Sequence, residues 1–150
     1  DFKLTTGTWV SVGPLRNRFI AHFAPYSQDV VIAGRDRSHP SALVLVDPDS
    51  CRALHPDLAN ETSLKALLAH SAVRDLFRDR LSSLAKQATG SSNRIVAAIL
   101  LDQPPSIDAN EITDKGSINQ RAMLESRSGL VDELYSEPPS SRVITICDKE

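Results

Sequence analysis

Apolar and polar residues follow two different periods along this chain, one typical of strands and one typical of helices. Residues 2–11 carry β-branched and aromatic side chains around a central glycine, which predicts two short strands with a turn near Gly7. The apolar runs Asp29–Gly34 and Ala42–Val46 predict a second, antiparallel hairpin. Arg94–Leu101 is apolar on both faces and therefore predicts a central strand.

Helix-period patterns separate these strands. The first begins at Pro14, since proline suits the first turn of a helix, and ends before Pro25. Two more patterns cover Thr62–His70 and Ser71–Ala88, where Ser71 is expected to cap the second helix and Gly90 to end it.

The remaining segments are short. Residues 51–60 are expected to be loop, Glu137–Ser141 a linker, and Arg142–Cys147 either a late edge strand or a terminal tail. The pattern as a whole predicts one α+β domain with a small β-sheet flanked by helices and an N-terminal two-stranded hairpin.

Composition narrows the class of protein. The net charge of −2 argues against a dedicated nucleic-acid binder, and no apolar run is long enough for a membrane span. The chain has no signal peptide, and its two cysteines, Cys51 and Cys147, have no metal-ligand spacing, so we expect a cytoplasmic protein with reduced thiols and no metal site. Because it begins at Asp1 in what reads as a strand, we expect it to be a piece of a larger chain.

The candidate chemistry lies in Glu111–Leu124, which places Lys115 beside Gly116 in a polar turn before an amphipathic helix. The apolar pattern continues to Leu134 as one last helix, with Gly129 as its weak spot. A lysine held by a turn and a helix start can be aimed at a substrate. The alternative is a solvated turn lysine.

Four histidines are candidates for chemistry as well. They are isolated in the sequence, and we interpret them as ordinary surface or loop residues: His22, His39, His55 and His70.

Two stretches carry a resemblance to a known family. Asp1–Arg16 (DFKLTTGTWVSVGPLR) resembles the segment just past the interdomain hinge of the AMP-forming acyl-CoA synthetases, and more narrowly of the feruloyl-CoA synthetase branch. Glu111–Leu124 resembles the late lysine motif of that superfamily, Thr-x-x-Gly-Lys-Ile. The usual motif has lysine directly after glycine, so the aligned position is Ser117, whereas here Lys115 directly precedes Gly116.

The resemblance implies that residues 1–150 form the C-terminal lid domain of an acid–CoA ligase, whose N-terminal adenylation domain is a separate part of the enzyme. It implies substrates that include ATP, coenzyme A and a carboxylic acid, with an aromatic, feruloyl-like acid on the narrower resemblance, and Mg²⁺ in the full enzyme. It assigns Lys115 to the adenylation step, and it assigns Gly7, Thr8 and Trp9 to binding of the pantetheine arm of coenzyme A. The isolated domain is expected to be inactive, because the nucleotide site would lie in the other domain.

Two other interpretations remain open at this point. One is a small α+β interaction or regulatory module without catalysis. The other keeps the adenylation chemistry but loads the acyl group onto a carrier-protein thiol.

Overall fold

The computed structural model describes residues 1–146 and has the α+β architecture that the sequence predicts. An N-terminal two-stranded hairpin precedes a four-stranded sheet with helices on both faces. The strands are β1 (Phe2–Lys3), β2 (Trp9–Val10), β3 (Ser27–Ala33), β4 (Ser41–Val46), β5 (Ala97–Leu100) and β6 (Ile144–Thr145). The helices are α1 (Val12–Phe23), α2 (Pro48–Arg52), α3 (Leu64–Ala69), α4 (Ser71–Lys86), α5 (Gln120–Ser126) and α6 (Ser128–Leu134). Within the described residues, no helix has the length and apolar character needed to cross a membrane.

The larger sheet has the strand order β3-β4-β5-β6, so β5 lies inside it, as predicted. β3 and β4 pair antiparallel, with Val31 opposite Leu43, and β4 and β5 run parallel, with Leu43 opposite Ile99. A parallel pair requires a crossover connection, and the chain between β4 and β5 supplies α2, α3 and α4 for it. β6 pairs antiparallel with β5 at the edge, which confirms the late edge strand.

Alternate residues of the sheet enter two different apolar clusters, because successive side chains of a strand point to opposite faces. One face packs on α1 and α4, where the rings of Phe19 and Phe23 stack with centroids 4.0 Å apart and Phe77 lies 5.5 Å from Phe23. The other face packs on α5 and α6 through Met123 and Leu134. The sheet is therefore the middle of three layers, and the segment that follows β5 is fixed against it.

The last helix differs from its prediction. Instead of one helix weakened at Gly129, the structure has α5 and α6, which meet at Arg127 in a non-helical conformation (φ −113°, ψ 30°). The side chain of Arg127 reaches back to Glu111 and to the loop after β5. The prediction of one helix was wrong because tertiary hydrogen bonds, rather than the low helix propensity of glycine, set the break.

The segment around residues 51–60 is also more ordered than predicted. α2 extends into it, and Pro56–Leu58 forms a 3-10 turn. The predicted cap of α4 was wrong as well: the N-cap residue is His70, whose Nδ1 accepts a hydrogen bond from the backbone N–H of Ala72 at 3.0 Å. Ser71 is the first residue of the helix instead.

The end of α4, the side chain of Arg16 and the last strand also bear on the predictions. α4 ends at Lys86, so Gly90 does not end it and opens the 3-10 turn Ser91–Asn93. Arg16 belongs to the polar face of α1 but forms an ion pair with Asp29 at 2.6 Å. The predicted strand Arg142–Cys147 is confirmed over β6, while Cys147 lies outside the described residues.

Candidate functional site

Lys115 lies at the exposed tip of a small hairpin-like turn. The turn is closed by two backbone hydrogen bonds, from Thr113 N to Ser117 O at 2.8 Å and from Gly116 N to Thr113 O at 2.9 Å. Gly116 has φ +82°, a conformation that glycine adopts without a steric penalty. Below the tip, Ile112 and Ile118 face each other in an antiparallel bridge. This is the bond pattern of a three-residue hairpin loop, which presents its middle residue, Lys115, to solvent.

Ser117, which aligns with the lysine of the family motif, lies in the base of the same turn. Its hydroxyl is 2.8 Å from the hydroxyl of Thr113, and its backbone N–H donates to that same oxygen at 3.2 Å. Ser117 therefore stabilises the turn, and Lys115 is the residue of the turn that carries a positive charge.

The N-terminal end of the lysine turn is held by a buried ion pair, which we call the Glu111–Arg127 clasp. The carboxylate of Glu111 accepts bonds from Arg127 Nε at 3.0 Å and Nη2 at 2.9 Å, from Ser106 N at 2.7 Å, and from the hydroxyl of Ser126. Arg127 also donates to the carbonyls of Gln103 at 2.7 Å and Pro104 at 2.9 Å. Glu111 is only 2% exposed, and the hydrogen bonds from Arg127 lower the pKa of its carboxyl to about 2 despite that burial. The carboxylate is thus ionised at every pH near neutrality.

The C-terminal end of the turn is held by Gln120 at the start of α5. Its side-chain amide donates to Val30 O at 2.8 Å and accepts from Ile32 N at 3.2 Å. Both backbone groups belong to the free edge of β3, whose other edge pairs with β4. Gln120 therefore acts like one residue of an additional strand and fixes the start of α5 to the sheet.

The N-terminal hairpin has a turn with the same bond pattern. Leu4 N donates to Thr8 O at 2.9 Å, Gly7 N donates to Leu4 O at 2.9 Å, and Gly7 has φ +85°. Thr8 and Trp9 follow on the exposed side of the hairpin, where the indole of Trp9 is 60% exposed and Lys3 Nζ lies 5.4 Å above its ring. The consecutive residues Gly7, Thr8 and Trp9 thus lie at the exposed turn end of the hairpin.

The N-terminal hairpin and the Glu111–Arg127 clasp lie at opposite ends of the larger sheet, whereas Gln120 fixes the other end of the lysine turn to the middle of β3. The hairpin contacts the connection that leads into β4, through Thr5 N to Arg37 O at 2.9 Å. The clasp of the lysine turn contacts Gln103 and Pro104, just after the end of β5. Since β4 and β5 are parallel, the start of one and the end of the other lie at opposite ends.

His55, Asp57 and His70 form the one group within residues 1–146 whose ligand atoms lie close enough for a metal ion, all within 4.8 Å. Asp57 Oδ2 is 3.5 Å from His55 Nδ1 and 3.6 Å from His70 Nε2. In each histidine, however, Nδ1 accepts a backbone N–H bond that caps a helical turn, from Asp57 N and from Ala72 N. A neutral ring then carries its proton on Nε2, so ligation requires loss of a cap. We therefore assign His55 and His70 to helix capping. The sequence predicts instead that both are ordinary surface or loop residues.

Comparison with known proteins identifies the fold. No protein-family profile matches the chain, and no curated protein matches it in sequence. Solved structures do match: the A-PCP didomain of carboxylic acid reductase from Segniliparus rugosus in complex with AMP, with a TM-score of 0.62 and 20% identity over 91% of this chain. The A domain of that reductase with AMP and a co-purified carboxylic acid has the same scores. The adenylation domain of the carboxylate reductase GR01_22995 from Mycobacterium chelonae has a TM-score of 0.61 and 21% identity over 89% of the chain.

This chain therefore has the fold of a segment of those adenylation domains. It spans 17–20% of the length of the three structures, so the likeness concerns one small part of each.

Three residues of the site were not predicted from sequence: Glu111, Gln120 and Arg127. Each has a partner that is between 15 and 90 positions away in the chain, beyond the range of any periodicity. Of the three, Glu111 is the residue that its burial marks out, since it is a charged residue that is 2% exposed. Burial of a carboxylate requires a partner, and Arg127 supplies it.

Proposed function

We propose that this chain is the C-terminal lid domain of a larger adenylate-forming enzyme, which activates a carboxylic acid with ATP. The likeness in fold to adenylation domains over nine-tenths of the chain supports the class of reaction. The observation that carries the proposal is Lys115, an exposed cation at the tip of a turn whose two ends are both anchored.

In the first step, a carboxylate oxygen bonds to the α-phosphorus of ATP, and the bond to the bridging oxygen breaks to release pyrophosphate. Two anions must approach each other, so a lysine ammonium beside both offsets their repulsion and stabilises the charge that develops in the transition state. A compact ammonium with three donors suits this role. The adenine site, the phosphate-binding loop and Mg²⁺ would belong to the N-terminal adenylation domain, the partner of this lid.

In the second step, a thiol attacks the acyl carbon and AMP leaves. We assign the turn at Gly7, with Thr8 and Trp9, to the route of the pantetheine arm of coenzyme A. The space beside Gly7 is open: apart from its chain neighbours, no heavy atom of the described residues lies within 4 Å of where a Cβ would stand, so a thin chain can pass along the backbone. Because the hairpin and the clasp that holds the lysine turn lie at opposite ends of the sheet, rotation of the lid would exchange one segment for the other.

The narrower proposal is an acid–CoA ligase for an aromatic, feruloyl-like acid, which rests on the resemblance of Asp1–Arg16 and Glu111–Leu124 to the feruloyl-CoA synthetase branch. A second candidate differs only in the acceptor. One similar structure is an A-PCP didomain, which favours transfer of the acyl group to a carrier-protein thiol. Supplying the full-length enzyme with coenzyme A or with a carrier protein distinguishes the two.

The test of the proposed function is Lys115→Ala in the full-length enzyme. Exchange of pyrophosphate into ATP should fall about 10²–10³-fold, the effect of removing one preorganised charge-stabilising donor. Thioester formation from supplied acyl-adenylate should stay within about twofold of the wild type. The matched control is Lys65→Ala, which removes another exposed lysine, on α3, and should leave exchange unchanged. Wild-type exchange by Lys115→Ala would overturn the assignment and favour an interaction module.

A further inference from the structure

The lysine turn is anchored at both ends by side chains that lie outside it. Glu111 directly precedes the bridge between Ile112 and Ile118, and Gln120 follows that bridge by two residues. The backbone joins the two ends as well, through Asn119 N to Glu111 O at 2.8 Å. The ends of the turn are thus fixed, while its tip is exposed.

The Glu111–Arg127 clasp has more hydrogen bonds than the two that join the ion pair itself. Four donors converge on the Glu111 carboxylate, and the guanidinium of Arg127 bonds both of its oxygens while it also holds two carbonyls of the preceding loop. Arg127 therefore ties three segments together: the loop after β5, the end of the lysine turn, and the junction of α5 and α6. A buried ion pair adds little stability over a well-packed apolar pair, but its directional bonds fix one geometry.

We propose that Glu111 and Arg127, with Gln120, are positioning residues for Lys115: they hold the turn so that its ammonium reaches the reacting carboxylate and phosphate in the adenylation step. This inference rests on the proposed function of Lys115. The physical reason is that transition-state stabilisation depends steeply on placement, and a displacement of about 1 Å can cost about 10²-fold in rate.

The perturbation is Arg127→Lys in the full-length enzyme, which keeps the positive charge and removes the planar fork. Lysine cannot bond both carboxylate oxygens and two carbonyls at once, so the turn loses its fixed geometry. We expect pyrophosphate exchange to fall about 10- to 100-fold through kcat, with the KM values for acid and ATP within about twofold. Thioester formation from supplied acyl-adenylate should be unchanged.

The matched control is Arg16→Lys. Arg16 forms the same two-bond pair with a carboxylate, to Asp29 Oδ1 at 2.7 Å and Oδ2 at 2.6 Å, but it joins α1 to β3, and its only ion pair within residues 1–146 is with Asp29. It should change exchange by less than about twofold. A second variant, Gln120→Leu, releases the other end of the turn. It should also slow pyrophosphate exchange and leave thioester formation unchanged, so it tests the proposal should Arg127→Lys fail to fold.

The deciding measurement combines the variants. In a Lys115→Ala background, Arg127→Lys should cause no further loss of exchange, because the clasp acts through Lys115. A further loss in that background, or equal effects on both half-reactions, would overturn the positioning role while leaving Lys115 in place. Wild-type exchange by Lys115→Ala alone would instead overturn the proposed function, so the two failures are distinguishable.

Discussion

Neutralising Glu111 should destabilise the domain in a strongly pH-dependent way. An ordinary glutamate has a pKa of about 4.3, and the hydrogen bonds from Arg127 lower the pKa of Glu111 to about 2. At about 1.4 kcal/mol per pKa unit, that difference corresponds to about 3 kcal/mol of folding stability. The group is 2% exposed, so solvent screening reduces this value little.

The sign follows from linkage. A carboxyl whose pKa is lower in the folded state contributes stability above its unfolded pKa, and this stability is lost as the pH falls through the folded value. We therefore expect Glu111→Gln to cost about 3 kcal/mol at pH 7 and less than about 0.5 kcal/mol near pH 2, where the wild-type carboxyl is about half protonated in the folded state and protonated in the unfolded state.

The assay is urea unfolding of the 150-residue chain at several pH values between 7 and 2, for the wild type and Glu111→Gln. Glu125→Gln is the control, because Glu125 is an exposed carboxylate on α5 and its loss should change stability by less than about 0.5 kcal/mol. A difference below about 1 kcal/mol at pH 7, or one that does not shrink toward pH 2, would refute the reasoning.

Two further predictions concern the core. Phe77→Ala should lower the unfolding free energy by about 3–5 kcal/mol, because Phe77 is fully buried and stacks near Phe23; a loss below about 1 kcal/mol in urea unfolding would contradict the packing. Burial raises the pKa of the Cys51 thiol to about 11, so in a Cys147→Ser variant Cys51 should react with a disulfide reagent at pH 8 only as fast as the protein unfolds. Rapid labelling of the native protein would show that Cys51 is accessible.

The sequence predicts the strands and both hairpins well, because their signals are local. β-branched and aromatic residues around Gly7, which has a left-handed turn conformation, specify β1 and β2, and short apolar runs specify β3 and β4, without reference to the rest of the fold. Continuous apolar residues likewise distinguish β5 as a strand covered on both faces. The α+β class follows from the same patterns.

The errors in the last helix and in the cap of α4 have different causes, a long-range contact for the last helix and a local bond for the cap. Arg127 breaks the last helix because its side chain bonds Glu111, 16 positions earlier, and a helix pattern contains no information about that bond. His70 caps α4 in place of Ser71, through its Nδ1. The sequence points to Ser71 because serine is a preferred N-cap residue and histidine is not. In the candidate site, sequence identified the lysine and the glycines, whereas the groups that anchor the turn required the fold.

The proposed function assigns two chemical steps to one small domain, adenylation to the lysine turn and thiol transfer to the N-terminal hairpin. Its most direct test is a single-turnover measurement of acyl-adenylate and thioester in the full-length enzyme carrying Gly7→Leu, beside Lys115→Ala. We predict that Gly7→Leu accumulates acyl-adenylate while thioester formation falls sharply, and that Lys115→Ala accumulates none. Gly7→Ala is the control, since alanine is strained at φ +85° like leucine but adds little bulk to the open space beside Gly7. If Gly7→Leu slows both steps equally, or only lowers the melting temperature as Gly7→Ala does, then Gly7 serves the turn alone and the two-step account is contradicted.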